Sequence, residues 1–167
     1  GIDNHTSIEL ALADLKELGI TDAGLKASTK IDIAASTDLN ETHSIRITGE
    51  DTQLLTADNR FTPERLLLEF DTNPQATNLK VKNGDLDISG RMDCGYNKLF
   101  TAIEDIPKLY ENMLSSKSIY SLTDFEALLP HITLQLHSGK NNILHNYLAY
   151  NGIKTEKINL DADISPD

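Results

Sequence analysis

The stretch VKNGDLDI, residues 81–88, decides the fold that this sequence predicts. Two short segments, each alternating apolar with polar residues, meet at Asn83-Gly84. This dipeptide favours a two-residue type I′ turn, because both residues tolerate positive φ. The turn predicts a β-hairpin with one apolar and one charged face. The apolar face carries the pairs Val81–Leu86 and Leu79–Ile88, and the charged face carries the pairs Lys82–Asp85 and Lys80–Asp87.

The same alternation continues outward from the hairpin in both directions. Apart from Thr29, apolar residues occupy every second position in the segments 25–35, 44–48, 65–71, 131–137 and 158–164. Strands with one apolar and one polar face are typical of antiparallel sheets. The opening residues fit either a strand, through Ile8, Leu10 and Leu12, or a helix that ends at Gly19. We favour the strand, extending through Ala13.

Helical spacing of apolar residues is found only in the second half of the chain. It predicts helices near 97–114, 123–129 and 142–150, the first kinked at Pro107 and the last capped by Asn141 and ended by Asn151-Gly152. The predicted fold class is therefore α+β, a mostly antiparallel twisted β-sheet with about three helices packed on its apolar face. The first helix presents an apolar stripe of Leu99, Ile103, Ile106, Tyr110 and Met113.

Length and charge bound the possible functions. We expect residues 1–167 to form a single domain, with mainly strands in 1–93 and helices with returning strands in 94–167. Because the chain opens with Gly1 and not methionine, we expect it to be a fragment of a longer protein. Fifteen basic and twenty-six acidic residues give a net charge of -11, which repels phosphate backbones. Nucleic acid is therefore not an expected partner.

No arrangement of reactive residues predicts catalysis. The five histidines are too dispersed to suggest a metal site, and no catalytic or metal-binding residue is predicted. The segment DADISPD, from Asp161, begins like a calcium loop, but Pro166 stands where such loops need glycine. Cys94 precedes a predicted helix, whose N-terminus could lower the pKa of its thiol, but no histidine base lies nearby in sequence. We predict a protein that is not an enzyme and has no cofactor.

The candidate binding residues are instead apolar. If the strands around the hairpin are neighbours, seven side chains share one face of the sheet: Leu66, Leu68, Phe70, Leu79, Val81, Leu86 and Ile88. A bare apolar face of that width marks an interface. Two readings remain open, a core covered by the predicted helices or a surface for acyl chains or a partner strand. We expect the stripe that includes Ile103 to cover the face.

Residues 54–93, LLTADNRFTPERLLLEFDTNPQATNLKVKNGDLDISGRMD, resemble the repeating strands of AsmA-like and TamB-like bacterial envelope proteins. Residues 131–166, HITLQLHSGKNNILHNYLAYNGIKTEKINLDADISP, are similar to segments of large TamB-like proteins. The resemblance implies an internal, non-enzymatic segment involved in lipid transport or outer-membrane protein assembly. The implied location is the periplasm of a Gram-negative bacterium, as the soluble part of a parent anchored in the inner membrane. The implied partners are lipid acyl chains or another envelope protein.

An alternative function needs no apolar groove. A periplasmic or surface interaction module with a closed core could bind another protein through a sheet edge or a loop. The predicted helices favour this alternative, because they depart from the AsmA-like and TamB-like pattern and could close the groove.

Overall fold

A computed structural model describes residues 1–19, 24–56, 60–98, 100–101, 104–105, 107–108, 111 and 130–165. Within these ranges the chain forms nine strands: β1 Ile2–Asp14, β2 Lys26–Thr37, β3 His43–Leu55, β4 Arg60–Phe61, β5 Leu66–Asn73, β6 Ala76–Asn83, β7 Leu86–Met92, β8 Ile132–Ser138 and β9 Ile158–Ile164. The prediction that the opening residues form a strand through Ala13 is confirmed.

All nine strands belong to one antiparallel sheet. Its order is β1-β2-β3-β5-β6-β7-β8-β9, and β4 pairs with the end of β3. Strands β7 and β8 are neighbours although nearly forty residues separate them in sequence. Apart from β4, the strands therefore lie side by side in the sheet in the order in which they occur in the sequence.

The prediction of an α+β fold with about three helices packed on the apolar face is wrong. Strands account for 57% of the described residues and two short helices for 13%. One helix lies within 96–111, where the described positions are helical up to residue 111. The other spans Ile143–Tyr150 and buries none of its residues. The predicted helix at 123–129 and the apolar stripe that includes Ile103 lie outside the described residues.

The N-terminal cap places the helix Ile143–Tyr150 at one end of the strands. Its N-cap is Asn142, and not Asn141 as predicted; the Asn142 side chain accepts a hydrogen bond from the backbone N–H of His145 at 2.8 Å. Asn151 is its C-cap, and Gly152 follows with a φ of 76°, as the sequence predicted. Tyr147 and Tyr150 are exposed. Helical spacing alone could not show where the helix would dock.

The hairpin forms, but its predicted register is wrong by two residues. Asn83 pairs with Leu86, Val81 with Ile88 and Lys82 with Asp87. The turn is thus Gly84-Asp85, with a φ of 57° at Gly84 alone. Asn83 stays in the strand because its buried side chain donates to the Glu64 carbonyl at 2.6 Å and accepts from the Ile143 N–H at 2.7 Å. A shift of two residues preserves the faces, since side chains alternate with period two.

Two register shifts, one in β1 and one in β3, keep the apolar residues of these strands on one face of the sheet. The register shifts between Leu10 and Ala13 on β1 and between Glu50 and Gln53 on β3. Leu12 and Asp51 lie at these shifts with φ of 52° and 51°. Each inserted residue changes the alternation from even to odd positions or back. Ala13 therefore shares the apolar face with Leu10.

Few apolar side chains are buried in the part of the chain that the structure describes. Those that are buried there are Ala27, Leu86, Cys94 and Pro130. Apart from Leu86, the apolar residues of the central strands β5, β6 and β7 are half-buried or exposed. No helix within the described ranges is long and apolar enough to cross a membrane. The sheet thus presents a broad apolar face in place of a deep core.

Candidate apolar binding face

Two rows of apolar residues cross the strands side by side on one face of the sheet. Directly paired residues share a face, so the register defines each row. One row contains Ile33, Ile47, Leu68, Val81, Ile88, Leu136 and Leu160, and the other contains Ala35, Ile45, Phe70, Leu79, Gly90, Leu134 and Ala162. We call these two rows the apolar band.

The apolar band is longer than a single acyl chain. It crosses seven strands, and at about 4.8 Å between strands it is about 29 Å long. A single acyl chain spans about 15 Å, half the hydrocarbon thickness of a bilayer. Leu79 is 37% exposed and Leu160 is 45% exposed, so the band is accessible at these points.

All seven candidate residues lie on the face that carries the apolar band. Leu68, Phe70, Leu79, Val81 and Ile88 are in the band itself. Leu66 and Leu86 lie on the same face in the next row, each paired with Asn83. Strand pairing thus places all seven residues on one face, and their binding role stays a prediction. The sequence alone did not show that four further strands extend the same rows.

A row of polar groups borders the band at one end of the strands. The hydroxyls of Thr72 and Thr77 lie 2.7 Å apart, both buried, and Thr77 donates to the Cys94 carbonyl at 2.9 Å. The Tyr96 N–H donates to the Thr72 hydroxyl at 3.2 Å. The Tyr96 ring also meets the His43 ring edge-on at 5.5 Å. Residues 94–96, which follow β7, therefore close this border.

A second polar border lies at the opposite end of the strands. Asn83, Ser138 and Asn142 are each about 1% exposed. The Asn142 amide donates to the Ser138 hydroxyl at 3.0 Å and to the Asp85 carboxylate at 2.5 Å. The donation from Asn142 to Asp85, with one from the Asn141 N–H, lowers the pKa of Asp85. The turn of the hairpin is thus fastened to the first turn of the helix Ile143–Tyr150.

The opposite face of the sheet is polar and charged. Lys82 and Asp87 form an ion pair at 2.8 Å, where the sequence predicted Lys82 with Asp85. Arg46 and Glu69 form another at 3.2 Å. Such exposed pairs add little stability individually. These ion pairs keep the polar face of the sheet hydrated, which leaves the other face for apolar contacts.

His131 joins three strand ends on the polar face. Its Nδ1 lies 3.1 Å from the Asp93 carboxylate and its Nε2 lies 2.8 Å from the Asp163 carboxylate. Hydrogen bonds to Asp163 and then to Asp93 raise the pKa of His131. The hydrogen bond to His131 lowers the pKa of Asp93, with help from Arg91. Sequence reasoning missed this cluster, because Asp93 and Asp163 are distant in sequence and only strand pairing brings them together.

Stability should fall as the pH rises through the raised pKa of His131. A raised folded-state pKa contributes stability that is fully present below the ordinary value of 6.5 and is lost as the pH rises from there through the folded-state pKa. Urea unfolding of the wild type and of His131→Gln at about pH 5.5 and about pH 9 tests this. The difference between the two proteins should be larger at the lower pH. An equal difference at both pH values would show that protonated His131 contributes nothing.

The remaining candidates for chemistry have structural positions. Cys94 is buried, and burial raises the pKa of its thiol, opposite to the lowering considered from the sequence. Asp161 and Asp163 lie on the polar face of β9, and Pro166 lies outside the described residues. In the described ranges no three histidine, cysteine, aspartate or glutamate side chains are grouped to hold a metal ion.

Comparisons with protein-family models, with curated proteins and with solved structures found no match.

Proposed function

We propose that this chain is a non-enzymatic segment of an AsmA-like or TamB-like envelope protein. Its apolar band would hold lipid acyl chains. The observation that carries this proposal is the alignment of two apolar rows across seven strands, bordered at both strand ends by buried polar groups. Hydrocarbon lying along the band would contact apolar side chains throughout its length. Its polar headgroup would remain in water.

The resemblance of residues 54–93 and 131–166 supports the cellular setting of the proposal. The chain would lie in the periplasm of a Gram-negative bacterium, carried by a parent anchored in the inner membrane. Its role would be lipid transport or outer-membrane protein assembly. Lipid acyl chains or another envelope protein would be its partners.

The apolar face is too extensive to be explained as scattered surface residues. Apolar patches beyond a few hundred Å² on a protein surface mark binding sites. Leu68, Val81 and Ile88 are only half-buried although they stand near the middle of the sheet. Removing such side chains from water by contact with hydrocarbon contributes about 25 cal/mol per Å². An acyl chain is therefore a favourable occupant.

Leu68→Asp should weaken lipid binding strongly, and Leu67→Asp should leave it intact. The two residues are adjacent on β5 and both are half-buried, but Leu67 pairs with Thr48 and Lys82 on the polar face. A carboxylate at Leu68 would stand against hydrocarbon, so we expect affinity for a fluorescent fatty acid to fall about tenfold or more, about 1.4 kcal/mol or more. Circular dichroism of both variants checks that the sheet is retained.

Native mass spectrometry supplies the complementary measurement. Protein purified from a Gram-negative host without detergent should carry lipid in stoichiometric amount, and Leu68→Asp should not. A wild-type mass free of lipid, together with no binding of added fatty acid, would contradict the proposal. Equal loss of binding in Leu67→Asp and Leu68→Asp would also contradict it, because the effect would then not depend on the face.

A further inference from the structure

The helix Ile143–Tyr150 and the turn that follows it expose large apolar side chains at one end of the strands. Tyr147 is 63% exposed, Tyr150 is 54% exposed and Ile153 is 50% exposed. The two tyrosines are three residues apart, so they lie on the same side of the helix. The N–H of Ile153 donates to the Leu148 carbonyl at 2.9 Å, which brings its backbone back beside the last turn. We call Tyr147, Tyr150 and Ile153 the exposed apolar patch.

The segment that carries this patch is basic, although the chain as a whole is acidic. Segment 139–157 contains three lysines and one glutamate, a net charge of +2 in a chain whose net charge is -11. Lys140 forms an ion pair with Glu156 at 2.7 Å. Lys154 and Lys157 are exposed and form no ion pair with any residue that the structure describes. Two cations beside the patch are therefore available to an anionic partner.

The acidic groups that contact this segment from the sheet lie at the start of the helix. The Asp85 carboxylate accepts from the Asn141 N–H and from the Asn142 amide, and the Glu64 carboxylate accepts from the Asn141 amide at 2.7 Å. The exposed apolar patch lies in and after the last turns of the helix. No aspartate or glutamate occurs in 141–155. The patch and its two lysines thus form a surface without an acidic residue of their own stretch between them.

Tyrosine, lysine and an exposed aliphatic residue together fit the interface between lipid headgroups and hydrocarbon. Tyrosine is enriched at that depth because its ring is apolar and its hydroxyl is polar. Lysine can lay its aliphatic stem along apolar groups while its ammonium group stays among the phosphates. At physiological ionic strength, interactions between exposed charges are largely screened beyond about 8 Å. An anionic surface that touches the patch therefore responds to the local lysines more than to the distant acidic residues.

We propose that the exposed apolar patch, together with Lys154 and Lys157, docks this end of the sheet onto an anionic lipid surface. The side chains of Tyr150 and Ile153 enter the headgroup region, and the lysines pair with lipid phosphates. Asn142 fastens the helix to the second polar border, so docking brings this end of the apolar band toward the membrane. Docking does not require the band to bind acyl chains, and the two activities are tested separately.

Cosedimentation with vesicles tests the role of the lysines on the full chain. At about 0.15 M salt we expect binding to vesicles of phosphatidylcholine mixed with phosphatidylglycerol, and none to phosphatidylcholine alone. Lys154→Gln with Lys157→Gln should weaken binding to the mixed vesicles about fivefold for each lysine. The matched control, Lys80→Gln with Lys82→Gln on β6, changes the net charge equally and should leave binding unchanged. Equal weakening by both pairs would overturn the proposal, because overall charge would then explain it.

Substitutions in the patch test its apolar contribution. Tyr150→Ser with Ile153→Ser should weaken binding to the mixed vesicles about tenfold. The control is Leu18→Ser with Leu39→Ser, at residues that are 58% and 70% exposed elsewhere on the chain, and it should bind as the wild type does. Leu68→Asp, which should weaken acyl-chain binding by the band, should also bind vesicles normally. Loss of vesicle binding in Leu68→Asp but not in the patch variant would place the contact on the band and overturn the proposal.

A fluorescent reporter distinguishes membrane docking from a protein interface. The chain contains no tryptophan, so Tyr150→Trp introduces a single one. Its emission should shift to shorter wavelength with the mixed vesicles, and that of Leu18→Trp should not. A shift in both variants or in neither would contradict docking through the patch. Self-association in sedimentation velocity, without binding to vesicles, would show that the patch is a contact between copies of the chain and would also overturn the proposal.

Discussion

Gly84→Val is expected to lower the free energy of unfolding by about 3 kcal/mol or more. Two independent effects combine at this residue. Its φ of 57° is a conformation that β-branched residues rarely adopt. A Cβ at Gly84 would also overlap the backbone carbonyl oxygen of Asn141. The turn would have to move away from the helix Ile143–Tyr150.

That movement would break the contacts that fasten the hairpin to the helix. The Asp85 N–H donates to the Asn141 carbonyl at 3.3 Å, and the Asp85 carboxylate accepts from the Asn142 amide. Asn142 is buried, so any of its polar atoms left without a partner would add to the loss. We therefore expect the substitution to affect both the turn and the start of the helix.

Gly152→Val separates the two effects. Gly152 has a φ of 76°, but an added Cβ there would meet nothing within 4 Å. The free energy of unfolding of Gly152→Val should therefore fall by about 1–3 kcal/mol, from backbone strain alone. Urea unfolding of both variants gives the comparison. If Gly84→Val costs no more than Gly152→Val, the close approach of Asn141 does not constrain the hairpin.

Leu86→Ala is expected to cost about 2–4 kcal/mol of unfolding free energy. Leu86 is 4% exposed and is the largest apolar side chain buried among the described residues. It lies at the second polar border, paired with Asn83 on β6 and with Ser138 on β8. Truncation would leave a cavity beside these buried polar groups, and the sheet offers few other buried apolar contacts in compensation.

Leu79→Ala provides the control for that prediction. Leu79 lies on the same face but is 37% exposed, so its truncation should cost clearly less. Chemical denaturation with the slope held constant measures both values. Equal losses would mean that Leu79 is covered in solution, by the chain itself or by a bound molecule. Delipidation before the measurement distinguishes those two cases.

The amino-acid sequence by itself determined which side chains share a face. Because strand side chains alternate with period two, Leu66, Leu68 and Phe70 could be assigned to one face without knowing their partners. The same alternation located the opening strand and the return of the chain to the sheet after residue 131. Gly84 with its neighbours located the hairpin, although not its register. These features are local, so a few neighbouring residues are enough to encode them.

Tertiary contacts alone decided the register, the position of the helix Ile143–Tyr150 and the polar clusters. Asn83 is drawn into β6 by partners at Glu64 and Ile143, which no property of the turn sequence could indicate. His131 meets Asp93 and Asp163 only because β7, β8 and β9 are adjacent. The apolar band likewise exists only when seven strands align their rows. Such features depend on contacts between residues far apart in sequence, and the periodicity of a single strand carries no information about them.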